Sequence, residues 1–216
     1  MASVPRVALR PAFQALFLVL LLETLLGWAA SALSAGRGWR MLILLGAFRV
    51  FQTLAAFGVF FRADGHLGAL GLGPGTLRSG TVRGMVWSLG FGGAVLIGFV
   101  ALFLAGIDPI RLFRVPSGAT VPDRIALFAV GGLVGPFAEE VIFRGILYGA
   151  LRRWGVAAAL GASTAVFALL HGGGGFTQIA GGLLFGLAYE REGKLMAPVA
   201  VHALGNTALF ALSLIG

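Results

Sequence analysis

The chain is a succession of long apolar runs, each closed by Arg, Gly or Pro. Seven such segments can be drawn: Ala12–Ala35, Met41–Phe61, Gly84–Gly106, Ile125–Leu151, Val156–Leu170, Phe176–Tyr189 and Leu195–Leu214. A helix that crosses the hydrocarbon core of a bilayer needs about 20 residues. Most of the seven reach that length. The fifth and sixth fall short, which fits tilted, shielded or partly re-entrant helices. The pattern predicts an all-α, polytopic transmembrane bundle of about seven spans. Arg62–Arg83, with its "GHLGALGLGPG", reads as a Gly-rich connector. The first segment, "RVALRPAFQALFLVLLLETLLGWAASALSA", has the outline of a signal peptide. Its apolar stretch is longer than a leader needs and carries Glu23, so a retained first span is the expectation.

Composition sharpens this reading. Of 216 residues, 58% are hydrophobic and 11% charged. Soluble domains carry about 25% charged residues. Without cysteine, disulfides, thiolate metal sites and cysteine nucleophiles are excluded. The net charge of +8 is spread over short connectors, with no basic–aromatic cluster, so nucleic acid is not an expected partner. With seven spans, Arg6, Arg10, Arg62, Arg78, Arg83, Arg152, Arg153, Arg191 and Lys194 share one side. Arg37, Arg40, Arg111, Arg114 and Arg124 share the other. The excess places the N-terminus in the cytoplasm. A bacterial cytoplasmic membrane is the expected location, with membrane lipid as a partner.

Ionisable residues inside spans are costly, so each is a functional candidate by default. They are Glu23, Arg49, Glu139, Glu140, Arg144 and His202, with His171 at a span end. The C-terminal half is the richer. In "PFAEEVIFR", Glu140 and Arg144 stand at i and i+4 and can pair on one helix face. Glu139 points about 100° away and has no local partner. That isolation suits a general acid or base; the structural reading is that both glutamates join helices. In "FALLH", Phe167 and His171 share a face, and Gly172–Gly175 follows, where a backbone or substrate can approach closely. In "HALGN", His202 and Asn206 share a face. They can donate to a developing oxyanion or to a neighbouring helix. Gly135-Pro136 upstream is a place for the helix to kink or loosen and admit water.

EExxxR, FxxxH and HxxxN, in this order on separate apolar segments, resemble the family of CAAX proteases and bacteriocin-processing enzymes. That family includes the type II CAAX prenyl endopeptidases. The resemblance covers about Ile125 to Leu214 with no departure at a motif position. It divides the chain into N-terminal helices and connectors (1–124) and a protease core in the last four spans (125–216). It implies an intramembrane endopeptidase that cleaves near the C-terminus of a membrane-associated protein or peptide. Glu139 and His171 would activate a water, and His202 and Asn206 would stabilise the oxyanion. Glu140 and Arg144 would form a supporting pair, with Phe167 beside them. The family is often labelled metalloprotease. A zinc site here would use Glu139, His171 and His202, and the base would then be another group, Glu140. HExxH and its two-histidine helix face are missing, so the metal-free mechanism is the expectation. Two other functions fit the same residues. One is a non-enzymatic membrane scaffold or bacteriocin immunity protein. The other is a small proton-coupled transporter, against which stands the absence of an inverted repeat.

Overall fold

The computed structural model describes residues 4–32, 38–113, 115, 118–171 and 175–215. Arg37, Arg114, Gly172–Gly174 and the Ala35 end of the first segment lie outside them. The described residues form helices and connectors, with no strand. The helices are α1 Leu9–Ala32, α2 Trp39–Asp64, α3 Thr76–Leu104, α4 Pro109–Phe113, α5 Val121–Trp154, α6 Val156–Leu170, α7 Phe176–Glu192 and α8 Met196–Leu212. Four of them, within α1, α2, α3 and α5, are long and apolar enough to cross a membrane. Helices α6 and α8 are shorter apolar helices.

Both ends of the connector after the second segment differ from the sequence expectation. The connector after the second segment is only 65–75, because α2 runs through Arg62 to Asp64 and α3 begins at Thr76. Packing carries α3 beyond its apolar run. A Cβ on Gly80 would lie 2.9 Å from Met196 Cβ, and one on Gly84 only 2.5 Å from the Ala197 carbonyl oxygen. The two glycines therefore bring α3 and α8 into backbone contact, as small residues do between membrane helices. Gly84→Val should force the pair apart and cost about 1–3 kcal/mol. The check is a lower melting temperature in detergent, with Gly90→Val as the comparison because its Cβ would meet nothing within 4 Å.

Helix α5 is the axis of the bundle. Its N-terminus is fixed by Thr120, whose hydroxyl accepts from Asp123 N while Asp123 Oδ2 accepts from Thr120 N. Asp123 Oδ1 also accepts from Trp39 N at 2.7 Å, so one carboxylate caps both α5 and α2. At the far end Glu190 takes Tyr148 Oη at 2.7 Å and Arg152 Nε at 2.9 Å, fastening α7 to α5. Between these ends α5 is not uniform. Leu127–Val134 and Val141–Tyr148 are wide π-helical turns, and Gly135–Glu140 between them is a normal α turn. Wide turns of this kind concentrate at functional sites.

A candidate active site within the membrane

The wide turn before Pro136 sets up the first polar contact. There Gly135 N–H donates to the Val130 carbonyl, five residues back. The next step of that ladder would join the Gly131 carbonyl to residue 136. Proline has no N–H to give. The orphaned Gly131 oxygen instead accepts from Asn206 Nδ2 at 2.9 Å. Buried backbone carbonyls must find a donor, so Pro136 and Asn206 are complementary parts of one arrangement. Close packing permits it: a Cβ on Gly132 would lie 3.0 Å from Thr207 Oγ1, and one on Gly131 3.0 Å from Phe210.

Pro136 starts the short α turn that carries Glu139 and Glu140. The Glu140–Arg144 pair forms as its spacing requires, with Arg144 Nη1 donating to Glu140 Oε1 at 2.9 Å and both side chains fully buried. Arg144 Nη2 donates to the Gly182 carbonyl at 3.1 Å. The guanidinium also lies over the rings of Phe167 at 4.8 Å, Phe185 at 5.2 Å and Phe143 at 5.9 Å. Three aromatic faces replace much of the solvation that burial removes. Gly182 is needed for the carbonyl contact, since a Cβ there would stand 2.8 Å from Thr164 Cγ2.

Glu139 gains partners from two other helices. Its Oε2 is 3.3 Å from His171 Nε2 and 3.8 Å from His202 Nε2. The two imidazoles are oriented alike. His171 Nδ1 donates to the Phe167 carbonyl at 2.8 Å, and His202 Nδ1 donates to Glu140 Oε1 at 2.8 Å. Carbonyl and carboxylate oxygens only accept, so each Nδ1 carries the proton and each Nε2 turns toward Glu139. Phe167 holds the group together: its ring is 4.3 Å from that of His171 and 5.9 Å from that of His202. Phe185 stacks on His202 at 4.4 Å.

These contacts fix a proton inventory. A carboxylate and an imidazole lone pair repel, so the 3.3 Å contact of Glu139 with His171 requires one proton between them. Counting Glu139, Glu140, Arg144 and that proton, the cluster is electrically neutral. Neutrality is the condition under which ionisable groups are tolerated in a low-dielectric interior. The cluster is not sealed: the Glu139 side chain is 19% exposed and that of His171 32%.

The structure therefore brings Glu139, Glu140, Arg144, Phe167, His171 and His202 into one contiguous group. Asn206 sits one turn along α8 from His202, with one N–H committed to Gly131. The carbonyls of Gly131 and Gly182 and the rings of Phe143 and Phe185 were not picked out by the sequence. A carbonyl partner has no side-chain signature, and Phe143 and Phe185 are two among 18 phenylalanines. Glu139, His171 and His202 are the donors that would hold zinc. By type they fit, and an Nδ1–H held by an oxygen is usual for a metal-bound imidazole. Their separations are those of the ion-paired group, and among the described residues no three His, Asp or Glu are arranged to hold a metal ion.

A protein-family model described as "Type II CAAX prenyl endopeptidase Rce1-like" matches residues 121–208, from the start of α5 to most of α8. No curated protein and no solved structure matches the chain.

Proposed function

Residues 121–208 match the type II CAAX prenyl endopeptidase model, and from that premise we propose that the chain hydrolyses a peptide bond near the C-terminus of a membrane-associated substrate with a Glu139-activated water. The family makes it a CAAX-type intramembrane endopeptidase in general terms. The observation that carries the finer reading is the convergence of His171 and His202 Nε2 on the Glu139 carboxylate, inside apolar helices.

Glu139 takes a proton from the water as the water oxygen adds to the scissile carbonyl carbon. It returns that proton to the amine nitrogen as the C–N bond breaks. His171, charged beside Glu139, orients the water. As Glu139 takes up the water proton, a proton can sit on His202 Nε2, 3.8 Å from Glu139 Oε2, and be donated to the oxyanion, whose new negative charge it balances. The second N–H of Asn206 is available to the same oxyanion. Pre-oriented donors of this kind contribute most where water is scarce.

The zinc reading is supported by the shared orientation of the two Nε2 atoms. Bound zinc would supply a Lewis acid for the carbonyl and an acidified water. One experiment tests both readings. Purified chain in detergent is given a CAAX-type prenyl peptide before and after exhaustive chelation, with metal analysis of the same sample. Cleavage that survives chelation in metal-free protein is the expected result. Cleavage that is lost and returns with stoichiometric zinc overturns the metal-free mechanism.

A further inference from the structure

Arg49 is an intramembrane charge that the catalytic group does not use. It lies within α2, where an ionised side chain is expensive unless it meets a partner or a polar cavity. Nη1 donates to Glu23 Oε2 at 2.7 Å and to Gln52 Oε1 at 2.8 Å, and Nη2 donates to Glu23 Oε1 at 3.3 Å. Gln52 Nε2 closes the network on Glu23 Oε2 at 2.8 Å and on the Val19 carbonyl at 3.3 Å. A guanidinium has five N–H groups. Three are used here; Nε–H and the second Nη2–H meet no acceptor among the described residues. The pair is also open, with Arg49 29% and Glu23 44% exposed. A tie between α1 and α2 explains the fork onto Glu23. It does not explain an arginine with spare donors in an open position.

The position of Arg49 supplies an explanation. Helix α2 lies against the Glu139 segment of α5, with the Phe57 ring edge-on to Phe137 at 6.4 Å. Val50 and Thr53, with Val134 and Phe137, line an apolar groove of about 310 Å³ between the two helices. Arg49 adjoins that groove: it precedes Val50, and its carbonyl accepts the Thr53 hydroxyl at 2.8 Å. An apolar groove, an arginine next in the chain to its Val50 wall and a carboxylate, Glu139, two residues beyond its Phe137 wall are complementary to an apolar chain end that terminates in an anion. Arginine suits this task because its planar fork matches a carboxylate.

We propose that Arg49 is a specificity-determining residue that binds the free α-carboxylate of the substrate, with the last apolar side chains lying in the groove between α2 and α5. The assignment rests on the endopeptidase reading above. Glu23 holds the guanidinium in place and balances it when no substrate is bound.

The test uses one CAAX-type prenyl peptide in two forms, free acid and C-terminal amide, cleaved by the purified full chain. The wild-type KM should be about 10- to 100-fold lower for the acid, the range for hydrogen bonds to a charged group. Arg49→Gln should erase that preference by raising the KM of the acid. Arg49→Lys should keep part of it. Glu23→Gln should preserve or widen it, because it frees donors on Arg49. A mere tie between α1 and α2 predicts instead that Glu23→Gln and Arg49→Gln harm both peptides alike. Equal KM values for acid and amide in the wild type overturn the assignment and leave the endopeptidase standing, and that comparison needs no variant to fold. A folded wild type that cleaves neither peptide overturns both readings.

Discussion

Glu139→Gln should leave a folded membrane protein whose cleavage rate has fallen about 10²- to 10⁴-fold, the usual worth of a positioned general base. Glutamine keeps the shape of the side chain and can still bond to His171. It cannot take a proton from water. His171→Ala should produce a loss of similar size, because His171 fixes the proton and the orientation of that carboxylate at 3.3 Å. The double variant should be little worse than either single one, as expected for residues that act as a unit. Peptide cleavage by each purified variant measures the effect, and a detergent melt confirms folding. Undiminished biological activity in both variants would favour the scaffold or immunity reading over an enzyme. Transport that survives while cleavage was never present would favour the carrier.

The sequence showed this region because charge inside apolar segments is scarce and expensive. Glu140 and Arg144 could be paired from spacing alone, and their 2.9 Å contact follows from helix geometry. Glu139 looked solitary for the same reason: spacing reports only partners on its own helix. Its actual partners come from the end of α6 and from α8, which are brought to it by tertiary packing. The bundle was legible from its apolar runs, whereas the ends of α2 and α3 were not. Hydropathy marks where a chain prefers lipid, while Gly80 and Gly84 continue α3 through contact with α8. Asn206 shows the same limit more sharply. Its i, i+4 relation to His202 is plain in the sequence. That one of its N–H groups serves the Gly131 carbonyl depends on the π register of α5 ahead of Pro136, which no residue pattern announces. The Arg49–Glu23 contact joins two helices whose pairing the sequence also leaves open.

Arg144→Met should be the most destabilising single substitution in the group, costing about 3–5 kcal/mol. The guanidinium is completely buried, and it is the cation that balances Glu140. Methionine fills much of the space among Phe143, Phe167 and Phe185, so the cost is chiefly electrostatic rather than a cavity. It leaves Glu139 and Glu140 with a single proton between two carboxylates, and it deprives the Gly182 carbonyl of its donor. Adding Glu140→Gln removes the uncompensated charge while its amide oxygen still accepts from His202 Nδ1. The double variant should therefore recover part of the loss, because apolar or neutral replacement of a whole buried pair is often tolerated. Melting temperatures in detergent for the two single variants and the double variant give the coupling directly. Additive losses would mean that Glu140 and Arg144 stabilise the bundle independently, and the pair would then not be the support on which His202 and the Glu139 carboxylate rest.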